Sequence, residues 1–389
     1  MNIVILILGL LSAFGPLSID MYLPALPGIA SDFHAELSQV QFSLASYFVG
    51  IALGQIFYGP LTDRFGRKKP LYVGLSLYFI SSLLCAQTTT VEGLILFRFL
   101  QALGACSGIV ISRAVVRDLF QPHESARIFS LLMLIMGVAP ILAPVAGGLM
   151  LTTFGWRSIF WFLSSVSLLT LIAVFFFLKE SSIPHPDHRL RYAVRNYLGV
   201  LKDRQFTGYT ISLSFIYAGM FAYITGSSYV FIQHFHLSPS NYSILFGANA
   251  FGLILFSQIN GKLLKKNTPE KLIRSALPIT FIAGTFLLLD GIFDAPLWAI
   301  CLPLFFYILS MGMIAPNAAA CALAFQKKSA GSASAMMGTI QFTVSAICSM
   351  LVSRLHNDTI LPMTGMMFGC AMMAVLFYWR LVLRPDLRN

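Results

Sequence analysis

Residues 59–69 read Gly-Pro-Leu-Thr-Asp-Arg-Phe-Gly-Arg-Lys-Lys and separate two long apolar blocks, 38–61 and 70–88. Gly59 and Gly66 permit close backbone approach and positive φ, so the stretch reads as a tight turn. Asp63 is its only acid, set among Arg64, Arg67, Lys68 and Lys69. Each flanking block is close to the roughly 20 apolar residues that cross a bilayer as a helix. The chain thus crosses a membrane, turns at a charged face and crosses back.

The same alternation runs through the rest of the chain. Hydrophobic residues make up 57% and charged residues 11%, with a mean hydropathy of +0.78, whereas soluble domains carry about 25% charged residues. Twelve spans are predicted, at 3–27, 38–61, 70–88, 92–114, 126–150, 157–178, 207–232, 240–261, 272–290, 296–316, 330–352 and 360–382. All are expected to be helical, because lipid leaves no partner for an open strand edge. The single long polar stretch, 179–206, divides the spans six and six. The predicted fold is therefore all-α integral membrane, with an N-terminal six-helix bundle (1–178), a cytoplasmic linker (179–206) and a C-terminal six-helix bundle (207–389). Two such halves are the arrangement expected of transporters built from related repeats.

The net charge of +11 does not signal nucleic acid, since no basic domain offers a groove. Instead, 23 of the 26 Lys and Arg residues fall at 62–70, 113–127, 179–204, 262–274, 326–328 and the tail from 380. Every second connection is basic, and the positive-inside rule then puts both termini in the cytoplasm. Within the linker, Ser181–His188 is turn-like and leaves His185 and His188 solvated. From Leu190, the residues Leu190, Val194, Tyr197, Leu198 and Leu201 recur at helical spacing opposite Arg191, Arg195 and Lys202, predicting an amphipathic surface helix. No cleavable signal peptide is read at the start, where the apolar run is longer than an h-region.

Asp20 is the most telling single residue, a carboxylate inside the first span in the run Leu17-Ser18-Ile19-Asp20-Met21-Tyr22-Leu23-Pro24. An ionisable group in hydrocarbon is costly unless protonated, paired or hydrated, and it marks a functional site. Arg98 lies inside the fourth span. At about 1.5 Å rise per residue, both lie roughly 8 Å outside the centres of their helices and are expected to meet at one level. A neighbouring cation favours the carboxylate while burial disfavours it, so a pair of this kind suits proton binding and release. A static ion pair ordering the bundle is the competing reading.

Three further stretches narrow the class. Arg98-Phe99-Leu100-Gln101-Ala102-Leu103-Gly104 resembles the Arg-x-x-Gln-Gly-x-Gly motif of proton-driven drug exporters, with Ala102 in place of the first glycine. Gly137–Gly148 (GVAPILAPVAGG) resembles the antiporter motif of the same exporters, with Ala143-Pro144 for its Gly-Pro and an additional Pro140. Residues 59–69 closely resemble the cytoplasmic loop signature of the major facilitator superfamily. Its second-half counterpart, Gly261–Lys266, is degenerate. The opening SIDMYLPALP, the pair Arg117-Asp118 and AGMFAY (218–223) look like the Bcr/CflA, or bicyclomycin and chloramphenicol resistance, branch of drug:proton antiporters.

The resemblance implies a major facilitator fold and a proton-coupled efflux antiporter of the bacterial cytoplasmic membrane, with the halves rocking around a midplane site. It implies proton coupling at Asp20 and Arg98. It implies a gate at Gly59, Asp63, Arg64, Gly66 and Arg67, with Asp63 pairing to Arg113 or Arg117, or facing the start of span 11 at Gly331–Ser334. Pro140, Pro144, Gly147 and Gly148 would complete the gating elements. Candidate substrate contacts are Gln101, Asn249 and Gln341, with aromatic walls from Tyr22, Tyr47, Tyr217, Phe221 and Tyr223.

Other readings are weaker. His234 and His236 are too few for a metal site, and Asp290 and Asp294 are expected at the outer interface. The six cysteines at 85, 106, 301, 321, 348 and 370 lack metal-ligand spacing and are expected to be buried apolar residues. No cofactor is expected. There is no G-x-x-x-x-G-K-[ST] sequence, so the energy is expected to come from an ion gradient or a partner. The expected partners are protons, lipid and a small drug-like or amphipathic molecule, and a monomer suffices. The alternative within the fold is a transporter of a physiological solute such as a siderophore. A membrane enzyme would need an interfacial cluster of His, Asp or Glu that the sequence does not offer.

Overall fold

The computed structural model describes residues 3–182, 197–324, 326 and 330–383. Among the described residues, twelve helices are long and apolar enough to cross a membrane. The first six spans are Ile3–Asp32, Leu37–Phe65, Lys68–Gln87, Val91–Leu119, Leu134–Phe154 and Arg157–Phe177. The remaining six are Arg204–His234, Pro239–Leu263, Pro269–Ile292, Leu297–Ala324, Gly331–Arg354 and Leu361–Leu383. They are numbered spans 1 to 12 below. Span 1 runs beyond the predicted residue 27, because the chain stays helical through Leu26–Asp32 after Pro24 and Pro27 are absorbed into first helical turns, where a missing N–H costs nothing.

The chain divides into two compact units, Met1–Ala193 and Val194–Asn389. Each uses the same pairing of helices. In unit 1, span 1 packs on spans 4, 5 and 6, span 4 also packs on spans 2 and 3, and span 3 meets span 6. In unit 2, span 7 packs on spans 10, 11 and 12, span 10 on spans 8 and 9, and span 9 meets span 12. The second list is the first shifted by six spans, the mark of an internal repeat.

Exposed apolar residues such as Val73, Phe154, Leu169, Phe176 and Trp298 lie on the outward flanks. In water such a surface would drive association, while in a bilayer it is the face that lipid covers. Inside the units, serines and threonines are satisfied by back-bonding to the preceding turn, as with Ser18 to Phe14 O and Ser214 to Thr210 O. Short hydroxyls of this kind let helices approach and keep their own polarity paired.

The predicted linker helix falls largely on 183–196, outside the described residues. Residues 197–201 are helical, with Tyr197 and Val200 buried but Leu198 exposed. Leu198 thus leaves the predicted apolar stripe, because one residue turns about 100° around a helix and cannot share a face with its neighbour. His185, His188, Leu190, Arg191, Val194 and Arg195 also lie outside the described residues.

Candidate functional site

Span 1 is interrupted where its carboxylate sits. The helix Ile3–Asp20 stops at Asp20, and a 3-10 turn, Leu23–Ala25, follows. Span 5 makes room for this break at Gly147, where a Cβ would run into the carbonyl oxygen of Met21. Of the antiporter-like stretch in span 5, Gly147 therefore has a direct structural role beside Asp20, and Pro140 and Pro144 lie within the continuous helix Pro122–Phe154. Asp20 is buried at 4% exposure, and among the described residues it makes no ion pair.

Arg98 is wholly buried. Its guanidinium lies over the rings of Tyr47 (4.3 Å to the centroid), Tyr22 (4.7 Å) and Phe160 (5.9 Å). Nη1 donates to Gln101 Oε1 at 2.6 Å, and Gln101 Nε2 donates onward to Ser82 Oγ at 2.8 Å. Among the described residues, Nε and Nη2 have no hydrogen-bond partner, nor does the Tyr47 hydroxyl. Desolvated cation–π contacts each contribute about 2 kcal/mol, and together they offset two missing hydrogen bonds at roughly 1–3 kcal/mol each.

The expected Asp20–Arg98 contact is not made among the described residues: the guanidinium is stacked on the three rings and bound at its edge to Gln101. Two residues beyond Asp20, Tyr22 comes from the broken segment to Arg98, and its hydroxyl shares a 2.9 Å hydrogen bond with Ser43 Oγ. Tyr22, Tyr47 and Gln101, read as substrate contacts, are thus built into the Arg98 cage. Beside it, the Ser18 hydroxyl shares a 2.6 Å hydrogen bond with Tyr78 OH. Ser18, Ser43, Tyr78, Ser82 and Phe160 carried no sequence signal, since small hydroxyls and aromatics occur throughout the spans. Ala102, the departure from the exporter motif, is buried against Gly50 of span 2.

The turn between spans 2 and 3 forms a second site. Gly66 adopts φ +80°, a conformation that favours glycine, and folds Arg67 back over the end of span 2. Arg67 then binds Asp63 Oδ1 through Nη1 at 3.0 Å and Asp118 Oδ2 through Nε at 2.8 Å. Burial disfavours the guanidinium charge, but the hydrogen bonds to Asp118 and Asp63 outweigh it and hold the Arg67 pKa above its ordinary value. Asp63 therefore closes on Arg67, four residues on, rather than on the exposed Arg113 or Arg117. Span 4 contributes Asp118 instead.

Sequence reasoning also missed Glu180. Its carboxylate accepts the backbone N–H of Arg67 (2.8 Å) and Lys68 (3.0 Å) at the start of span 3, where a helix N-terminus welcomes negative charge. Ser181 Oγ donates to Asp118 Oδ2 at 3.1 Å. The available signal was an acid immediately after span 6. Arg64 lies against Phe65, and the Gly59 carbonyl accepts from Thr62 Oγ1.

Unit 2 places its candidates differently. Asn249 Nδ2 donates to Tyr223 OH at 3.1 Å, and Tyr223 stacks on Phe246 with centroids 5.4 Å apart. Phe221 packs against Phe342, while Tyr217 and Gln341 are half-buried. Asn317 Nδ2 donates to Asn260 Oδ1 at 2.6 Å, a buried amide pair of spans 8 and 10 absent from the sequence expectations. His234 pairs with the exposed Asp294 at 3.1 Å, and Asp290 keeps one buried oxygen without a partner. Among the described residues, no group of three or more His, Cys, Asp and Glu is arranged to hold a metal.

Comparison with known proteins agrees with this architecture. Residues 8–349 match the family model described as Major Facilitator Superfamily. An uncharacterised MFS-type transporter, YdgK, of Bacillus subtilis is 37% identical over 96% of this chain and 94% of its own length. A bicyclomycin resistance protein homolog of Haemophilus influenzae is 34% identical, over 98% and 96%. The multidrug resistance protein MdtL of Salmonella typhimurium is 27% identical, over 93% and 90%. Among solved structures, a D-xylose–proton symporter superposes with a TM-score of 0.73 at 18% identity, covering 97% of this chain and 96% of the other. A bacterial homolog of the lysosomal transporter Spinster gives 0.73 at 14%, with the same coverage.

Proposed function

The chain is a member of the major facilitator superfamily, in its Bcr/CflA branch, and from that footing we propose that it exports small amphipathic molecules across the bacterial cytoplasmic membrane in exchange for protons. Asp20 carries the reading. It is buried, makes no ion pair among the described residues and sits at the break of span 1, one residue from where Gly147 of span 5 admits the backbone. Such a carboxyl holds a proton while enclosed and gives it up when the surroundings open to water.

Arg98 acts through its cage. With its guanidinium held by Tyr22, Tyr47 and Gln101, the proton on Asp20 is not in competition with a fixed cation. A shift of Tyr22 on the segment after Asp20 would free the guanidinium to favour the carboxylate, coupling movement of span 1 to proton release. The Arg67–Asp63–Asp118–Glu180 cluster is the latch that biases one state over the other. Tyr217, Phe221, Tyr223, Asn249 and Gln341 supply a neutral, aromatic wall for the carried molecule. Alternating exposure to the two sides, termini in the cytoplasm and a monomeric unit complete the reading.

The test uses purified protein in liposomes loaded with a pH-sensitive dye. Chloramphenicol-like antibiotics and siderophores are added to wild type and to Asp20→Asn. Substrate-evoked proton movement in wild type, lost in the variant, is the expected result. Substrate uptake without proton movement in either protein would instead make the chain a facilitator of a physiological solute and Asp20 a structural residue.

A further inference from the structure

Cys348 of span 11 and Cys370 of span 12 bring their sulfurs to 3.6 Å from one another, and both are almost excluded from solvent. Ala218 of span 7 closes the cluster, and Phe215, Val344 and Met366 pack around it. Met366 precedes Cys370 by four residues, one helical turn, so its thioether and the thiol share a face of span 12. A lone buried cysteine is well explained as a small apolar residue. Two thiols face to face, from different helices and with a thioether at their side, form a set of soft donors.

We propose that Cys348 and Cys370, flanked by Met366, form a binding site for a soft monovalent cation, Cu(I) or its analogue Ag(I), bridging spans 11 and 12. Thiolate and thioether ligands select such ions over Mg²⁺, Ca²⁺ and Mn²⁺, which prefer oxygen. Metal–sulfur bonds of about 2.3 Å put two sulfurs on one ion roughly 4 Å apart, a sub-ångström adjustment from the observed spacing. A disulfide would require the sulfurs to close to about 2.05 Å and would need an oxidant.

Charge balances without a redox step. One thiol loses its proton to water and becomes the thiolate that binds the ion. The second thiol and the thioether bind as neutral donors, so a cation plus one thiolate enters the apolar core with no net charge. Spans 11 and 12 each pack extensively along span 7 but touch one another sparsely, so a shared ion supplies a tie that packing does not.

The experiment is an anaerobic titration of the purified full-length protein with Cu(I) against bathocuproine disulfonate, with proton release followed by indicator. Wild type and a variant lacking the other four cysteines (C85A, C106A, C301A, C321A) should each take one Cu(I) and release one proton. Affinity should fall at least about tenfold in C348A and in C370A, each of which loses a metal–sulfur bond, and less in Met366→Leu. Ag(I) should raise the melting temperature of wild type but not of C348A or C370A. A measurement without variants backs this: X-ray absorption of Cu(I)-loaded wild type should show sulfur scatterers alone at about 2.3 Å. Absence of binding above the competitor, an affinity in C348A and C370A equal to that of wild type, oxygen or nitrogen in place of sulfur around the bound copper, or a Cys348–Cys370 disulfide in protein purified without oxidant would overturn the proposal.

Discussion

The two units share one helix pairing but not one chemistry. Unit 1 buries a carboxylate and a guanidinium, Asp20 and Arg98, which are the buried Asp, Glu, Lys, Arg or His side chains among the described residues. Unit 2 buries amides and hydroxyls at its polar positions, with Asn249 on Tyr223 and Asn317 on Asn260. The contrast extends to the basic ends of spans 2 and 8. Gly66 is held at positive φ in a turn under the Glu180 carboxylate, whereas Gly261 lies inside the helix of span 8 with open space around it. A fold repeated twice can thus confine its charge to one copy and leave the other neutral. Packing constrains the backbone pairing of both copies, while each copy is free to vary the few side chains it buries.

The largest test of that asymmetry is Arg98→Ala. It removes three aromatic contacts and leaves a cavity in the core of the unit. Thermal unfolding in detergent should show a loss of about 3–5 kcal/mol, in the range of large buried truncations, and transport should fall more than about tenfold. Arg98→Lys keeps a charge but not the planar guanidinium that stacks on Tyr47 and binds Gln101, and it should recover stability only in part. A loss no greater than that of Asn249→Ala would erase the distinction between the units.

Next in size is Gly147→Val. Its side chain would collide with the Met21 backbone at the break of span 1, and overpacking of this kind costs about 1–3 kcal/mol. The prediction is checked by melting temperature together with proton-linked flux, both of which should drop. A normal flux would detach the break from coupling.

The paired substitutions Gly66→Ala and Gly261→Ala sharpen the comparison through their sign. Gly66→Ala forces a Cβ against Glu180 at a backbone angle that disfavours it, a loss of about 1–3 kcal/mol. Gly261→Ala lies within an open, exposed stretch of helix and should gain roughly 0.5–1 kcal/mol. Equal effects in unfolding scans would mean that the Gly66 turn is no more constrained than the open end of span 8. The smallest effect is expected from Asn249→Ala, about 1 kcal/mol for one neutral hydrogen bond, with an altered substrate range and unchanged proton coupling in the flux assay.

Much of the fold was legible in the sequence because lipid enforces it. Apolar blocks, basic alternate connections and the 59–69 turn leave little freedom when every backbone group must be paired internally. Asp20 and Arg98 stood out for the same reason, since charge inside a span is rare. Their relation was not legible. Depth along a helix put them at one level, but the break at Asp20 rotates the following residues, so Tyr22 rather than Asp20 covers Arg98. Asp63 was likewise singled out as a gate candidate, while its partner was not, because the turn at Gly66 brings Arg67 back over its own helix. Glu180 offered only its place just after span 6 as a signal, since its role depends on the end of span 6 lying beside the start of span 3. The amide pair Asn260–Asn317 follows the same rule, as neither residue carries a charge to draw notice.

The central claim, that Asp20 is the proton carrier, is tested most directly by mixing purified protein in weakly buffered detergent with a transported substrate and a pH indicator. Wild type should release a proton on binding, and Asp20→Asn should bind substrate and release none. Equal proton release from the two proteins would contradict the account and place the exchanged proton on another group.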